Sequence, residues 1–179
     1  MRRLMGAIAT MGLFTLLFTG CAPTPDDARA ALERRADTLN TAAQDVLLAM
    51  DAAGLQGASA VGRVEHCGGS LNPGLAYRAS VSATSGADPA EAIGAVTEEL
   101  QALGWQHEGE IGDDRLSARF TRDDVTIDVK AGGAVIGGKT YGEDEMQVGI
   151  TQADDCVRVP DGVHETDFAD LENEILPRE

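Results

Sequence analysis

The most specific chemical pattern in the chain is a glycine-rich stretch. Residues 133–140 read GAVIGGKT, which fits the G-x-x-x-x-G-K-T spacing of a loop that binds phosphates through backbone amides. Such a loop needs a strand before it and a helix after it, because the N-terminus of the helix binds the phosphate. Here Tyr141 and Gly142 follow, and then three carboxylates at residues 143–145. We therefore predict a glycine-rich hairpin connection rather than a nucleotide site.

Other residue types that carry catalysis are scattered along the chain. The three histidines, His66, His107 and His164, lack the short spacing that is typical of a zinc site. No serine lies in the Gly-x-Ser-x-Gly pattern of a serine hydrolase. The sequence therefore assigns no catalytic residue, no metal ligand and no cofactor.

Acidic residues occur in clusters whose carboxylate oxygens could bind a hard cation such as calcium. No EF-hand pattern is present, and aspartate is also expected at turns, where it makes local hydrogen bonds. We interpret these clusters as solvated turns. They are residues 26–27, 113–114, 123–124, 143–145 and 154–155.

The charge of the chain excludes some partners. Thirty Asp and Glu residues against 14 Lys and Arg give a net charge of −16. This charge disfavours nucleic acid and anionic lipid surfaces as partners, and it favours a basic protein or a polycation.

The N-terminus has the layout of an export signal. Arg2 and Arg3 precede an apolar run, Leu4–Phe18, which is shorter than the roughly 20 residues that span a bilayer. Residues 17–21 read LFTGC and resemble the lipoprotein box of bacteria, although Phe18 stands where that family usually has Leu. The resemblance implies a signal peptide at 1–20 and a diacylglyceryl group on Cys21.

The cysteine count agrees with this interpretation. Three cysteines leave one unexplained in an exported protein unless it is modified, and lipidation of Cys21 leaves Cys67 and Cys156 as a pair. A bond between them would close a loop of about 90 residues and stabilise the fold by about 4–5 kcal/mol in the chain-entropy model. An ordinary signal peptide that is cleaved nearby would instead leave Cys21 as a free or paired thiol.

The mature chain divides into three parts. We expect a short lipidated tether at 21–27, a single α+β domain at 28–160, and an acidic C-terminal segment at 161–179 that is either a short docked helix or a frayed tail. Apolar residues at helical spacing predict a long helix from Asp26 or Asp27 to about Ala53. The glycine-rich passage from there to Gly74 is interpreted as a loop.

Alternating apolar and polar residues predict the strands of the domain. The first strand covers residues 75–84, and a helix follows in which Asp88 is the N-cap, Pro89 is the first residue and Gly104 marks the end. Trp105, directly after this helix, is expected in the core. Further strands are predicted at 105–111, 115–121, 125–129 and 146–150. The pattern favours an α+β fold with a mostly antiparallel sheet of about five strands that helices cover on one face.

The lipobox, the N-terminal helix, the cysteine pair and the composition together resemble small lipoproteins of high-GC Gram-positive bacteria. The resemblance implies a lipid anchor on the extracytoplasmic face of the cell membrane. We expect a non-enzymatic binding or interaction module whose partner is a basic envelope protein or a cell-wall component. The alternatives are a carrier of a small-molecule or cell-wall ligand, with a pocket between helices and sheet, or an enzyme.

Overall fold

The computed structural model describes residues 23–68, 74–109, 116–136 and 139–177, so Cys21 and the signal segment lie outside the described residues. This part of the chain contains two α-helices, one 3-10 helix and ten strands. The elements in order are α1 (Pro25–Ala52), β1 (Gln56–Cys67), β2 (Gly74–Thr84), α2 (Pro89–Ala102), β3 (Gln106–Glu108), β4 (Ser117–Arg122), β5 (Val125–Ala131), β6 (Ala134–Ile136), β7 (Lys139–Tyr141), β8 (Glu145–Gln152), β9 (Val157–Arg158), the 3-10 helix (Glu165–Leu171) and β10 (Asn173–Ile175).

Eight of these strands form one sheet in the order β10-β1-β2-β8-β5-β4-β3, with β9 paired to the start of β2. All of its strand pairs are antiparallel. The predicted α+β fold with an antiparallel sheet is therefore confirmed. The predicted number of about five strands is wrong, because β1, β9 and β10 also belong to the sheet.

Strand β1 is the main correction, since its residues were predicted to be a loop. Its inward positions alternate regularly, but they carry the small residues Ala60, Gly62 and Val64. A Cβ at Gly62 would lie 1.6 Å from the Tyr77 hydroxyl oxygen. The fold therefore requires glycine at Gly62, a residue that weakens the strand pattern in the sequence.

The helices begin where capping residues place them. Thr24 caps α1 through a reciprocal pair of hydrogen bonds with Asp27, so the helix starts at Pro25 and includes residues expected in the tether. In α2, Asp88 accepts a hydrogen bond from the backbone N–H of Ala90. None of the helices in the described part of the chain is both long and apolar enough to span a bilayer.

Both helices pack on the same face of the sheet and form the core with it. The buried side chains at the centre of this layer come from both helices and from five strands: Leu32, Leu39, Val46, Met50, Val64, Tyr77, Val81, Ile93, Leu100, Phe120, Ile127, Val129, Met146, Val148 and Ile150. We call this side of the sheet the covered face. Trp105 is 3% exposed and belongs to the same core, as the sequence predicts.

The C-terminal segment folds back onto the first strand. The 3-10 helix buries Phe168, and β10 pairs with β1 from Ala60 to Gly62 and buries Ile175. Arg29 of α1 donates a hydrogen bond to the Asp170 carboxylate at 2.8 Å, which lowers the pKa of Asp170. The acidic segment is therefore attached both to the sheet and to α1.

A disulfide joins Cys67 and Cys156, as the cysteine count predicts, with a Cα–Cα distance of 5.6 Å. Cys67 ends β1, and Cys156 directly precedes β9. Gly74 pairs with residues of both β1 and β9, and a Cβ there would lie 2.6 Å from the Cys156 sulfur. The bond therefore fixes the end of the sheet where β1, β2 and β9 meet.

Candidate binding face of the sheet

Within the glycine-rich stretch at 133–140, residues 134–136 and 139–140 lie in strands. Ala134–Ile136 and Lys139–Tyr141 pair as the two strands of a separate hairpin, so a strand stands where a phosphate loop requires a helix. The prediction of a hairpin connection is confirmed. The dipole of a helix that would bind phosphate is therefore missing at this position.

The acidic clusters are located mainly in turns. Asp123 and Asp154 have positive φ angles of 55° and 53°, which is typical of aspartate in tight turns. Residues 113–114 lie outside the described residues. Within the described ranges, no three His, Cys, Asp or Glu side chains come close enough to hold a metal ion.

Two of the three histidines lie beside the start of the 3-10 helix, and the third lies on the edge strand β3. His66 lies 3.4 Å from a carboxylate oxygen of Glu165, and the His107 ring packs 5.2 Å from the ring of Phe120. The backbone N–H of His164 donates to Asp167 and begins the 3-10 helix. Among the described residues, none of these histidines belongs to a group that could hold a metal ion.

A cluster between α1 and the sheet joins Trp105, Arg122 and Asp45. The Arg122 guanidinium lies 2.6 Å from the Asp45 carboxylate and 4.1 Å from the centre of the Trp105 ring. The Trp105 indole N–H also donates to Asp45, at 3.3 Å. Asp45 is 6% exposed and accepts hydrogen bonds from both partners. We therefore interpret this cluster as a buried polar contact that connects α1 to strand β4.

The other side of the sheet has a different character. Its side chains alternate in sequence with those of the covered face and point away from the helices. We call this side the open face, and the described residues that line its grooves include Ser59, Arg63, Glu65, Arg78, Ser80, Ser82, Ser117, Arg119, Asp128, Lys130, Gln147, Gly149 and Thr151. These side chains are mostly polar or small, so this face of the sheet is not a second core.

Three adjoining grooves run across the open face. The largest has a volume of about 690 Å³ and is centred on β2, β8 and β5. It shares Arg63 and Gly149 with a groove of about 170 Å³, and Asp128 and Lys130 with one of about 530 Å³. The two larger grooves fall within the size range of ligand sites in proteins.

The charges on the open face are only partly paired. Arg119 donates to Asp128 at 2.7 Å, and this hydrogen bond raises the pKa of Arg119. Arg78 lies 2.9 Å from Asp155. In contrast, no carboxylate of the described residues lies within ion-pair distance, 4.0 Å, of Arg63 or Lys130. These two cations are available to a ligand.

Gly149 lies at the centre of this surface. It is located in the middle of β8, where its register partners are Ser80 on β2 and Asp128 on β5. A Cβ at Gly149 would meet no atom within 4 Å, and its φ is not positive. Glycine weakens a strand interior, so this residue lowers stability without a packing reason in the described fold.

The sequence predicted that one face of β2 is exposed to solvent, but it did not identify the open face of the sheet as a binding site. A ligand pocket between helices and sheet was expected only in the alternative, the ligand carrier; a groove of about 400 Å³ lies between α1 and the β4–β5 turn, whereas a larger one of about 690 Å³ lies on the open face. One signal was present in the sequence, namely a glycine in the middle of the alternating strand from Met146 to Ile150. The clustering of Arg63 with Lys130 on this face depends on the strand order, which short-range patterns do not contain.

Comparison with known proteins adds no family to this description. No family model, no curated protein and no solved structure matches the chain.

Proposed function

We propose that this chain is a lipid-anchored, extracytoplasmic protein that binds a cell-envelope ligand on the open face without catalysing a reaction. The observation that carries the proposal is the contrast between the two sides of one sheet. Helices pack on the covered face and bury its central side chains, whereas the open face presents a groove of about 690 Å³ with two unpaired cations. Polar and charged groups in a groove can fix the orientation of a ligand and provide specificity.

The anchor is inferred from the lipobox and from the position of the first helix. Cys21 stands only four residues before Pro25, where α1 begins. Since an extended residue spans at most about 3.6 Å, the lipid would hold the fold within about 14 Å of the membrane. Two acyl chains anchor a protein stably where a single chain does so only marginally.

A cell-wall component fits the open face better than a basic protein does. The described residues that line its three grooves include four basic side chains against three acidic ones, although the chain as a whole carries 30 acidic and 14 basic residues. The excess negative charge therefore lies elsewhere. A basic envelope protein remains the second candidate partner, and it would contact the surface outside the open face.

Fractionation of cells tests the anchor. We expect wild-type protein in the membrane fraction, with an intact mass that shows cleavage before Cys21 and a diacylglyceryl group. The Cys21→Ser variant should be released to the supernatant. Wild-type protein that is soluble and carries an unmodified Cys21 would contradict the anchor.

Site-specific photo-crosslinking in intact cells tests the binding face. A benzophenone amino acid replaces Thr84, which is exposed at the rim of the open face, or Glu98, which is exposed on α2. We expect a crosslinked product from position 84 and none of that mass from position 98. The same product at both positions, or at position 98 alone, would contradict a binding site on the open face.

A further inference from the structure

The two unpaired cations are far apart on the open face. Arg63 is on β1 and Lys130 is on β5, with β2 and β8 between these strands. Three strand spacings of about 4.8 Å separate them across the sheet. They are also offset along the strands, because Arg63 pairs with Arg78 whereas Lys130 lies in the row that contains Ser82. The two Cα atoms are therefore about 20 Å apart along a diagonal.

The surface between these cations is shallow and mostly polar, and the carboxylate that lines it, Asp128, is paired with Arg119. Ser80, Ser82 and Gln147 line it with hydroxyl and amide groups, which both donate and accept hydrogen bonds. Gly149 lowers its floor at the centre, where a side chain would otherwise stand. None of the described residues that line the three grooves of the open face is a Phe, Tyr or Trp.

Three classes of extended ligand can carry more than one negative charge, namely single-stranded nucleic acids, acidic peptides and acidic glycans, and these features distinguish between them. Single-stranded nucleic acids bind through bases that stack on aromatic side chains, which this surface does not provide. Extended peptides typically pair with a strand at the edge of a sheet, whereas the grooves lie on its central strands. A glycan chain with acidic groups would satisfy the hydroxyl and amide groups through its own hydroxyls, and its charges would meet both cations.

We infer that the open face binds an extended acidic polysaccharide, which lies diagonally across β2 and β8 over Gly149 and places anionic groups at Arg63 and Lys130. This inference rests on the proposed binding function and adds the chemical class of the ligand. The binding face is then opposite in charge to the molecule as a whole. The strongly negative remainder of the surface would repel the same polymer and so restrict binding to the open face.

Titration calorimetry on the mature, lipidated protein in detergent tests this inference. The probes are oligomers of polygalacturonate and dextran oligomers of the same length. We expect binding of polygalacturonate that weakens as salt is added, and no measurable binding of dextran. Absence of polygalacturonate binding, or equal binding of both probes, would overturn the inference.

Charge variants locate the site. Arg63→Gln and Lys130→Gln should each weaken polygalacturonate binding about tenfold, the equivalent of losing one charge-assisted hydrogen bond. Arg34→Gln is the matched control, because Arg34 is exposed on α1, on the other side of the sheet, and the substitution changes the net charge equally. An equal loss in Arg34→Gln would overturn the inference.

If the crosslink at position 84 forms in cells but polygalacturonate does not bind, the proposed binding function stands and the ligand class is wrong.

Discussion

The two faces of the sheet use glycine in opposite ways. On the covered face, Gly62 is required because a Cβ would overlap the hydroxyl of Tyr77. On the open face, Gly149 has free space above it, and no described contact requires the absence of a side chain. The same residue type is therefore explained by packing on one face and is unexplained by packing on the other.

The two faces differ in what they contribute: the covered face stabilises the fold, and the open face provides exposed side chains. Phe120, Ile127 and Ile150 are fully buried on the covered face, where loss of volume leaves a cavity. The open face contributes exposed side chains and ion pairs such as Arg119–Asp128, which add little to stability. Substitutions on the two faces should accordingly affect different measurements.

The largest expected effect concerns β1, which supplies residues to both faces. Replacing Cys67 and Cys156 together with serine should lower the free energy of unfolding by about 4–5 kcal/mol, because the bond closes a long loop in the unfolded chain. Urea denaturation measures this difference. Reduced wild-type protein is the control and should lose a similar amount, whereas unchanged stability in both would show that β1 is held without the bond.

The next effect compares neighbouring residues of β4 that point to opposite faces. Phe120→Ala should cost about 3–5 kcal/mol, because it opens a cavity in the core. Arg119→Ala should change stability by no more than about 0.5 kcal/mol. Urea denaturation measures the free energy of unfolding of both variants. An equal loss in Arg119→Ala and Phe120→Ala would contradict the claim that the covered face contributes more to stability than the open face.

A smaller effect is expected at Gly62. Gly62→Ala inserts a methyl group against the buried ring of Tyr77 and should cost about 1–3 kcal/mol. The double variant with Tyr77→Phe removes the hydroxyl oxygen, which is the atom closest to the added carbon. It should therefore show a coupling energy that recovers part of this loss. Simple additivity of the two changes would contradict the close approach seen here.

Short-range sequence patterns predicted the elements that have regular apolar spacing or standard capping residues. Strand β2 alternates clearly between apolar and polar residues, and α2 carries Asp88 and Pro89 at its start, so both were predicted close to their observed bounds. Strand β1 was not predicted, because the tight approach of Tyr77 demands a glycine where a strand pattern needs an apolar side chain. Strands β9 and β10 are two and three residues long and depend on pairing with distant strands.

The candidate site was harder to predict for a related reason. Arg63 and Lys130 are 67 positions apart in sequence and share one face only because β2 and β8 lie between their strands. The net charge of −16 favoured a basic partner. Net charge is a property of the whole chain, however, and it does not show which side chains on one face are left unpaired. Strand order and register, rather than composition, determine the charge of this face.

The substitution Gly149→Val tests the central claim most directly, because it separates folding from binding at one position. We predict that the free energy of unfolding stays within about 1 kcal/mol of wild type or rises, since valine favours strands and an added Cβ would meet no atom within 4 Å. In the same variant, the crosslink from position 84 in intact cells should be lost. A loss of stability as large as that of Gly62→Ala, or an unchanged crosslink, would contradict the assignment of the open face as the binding surface.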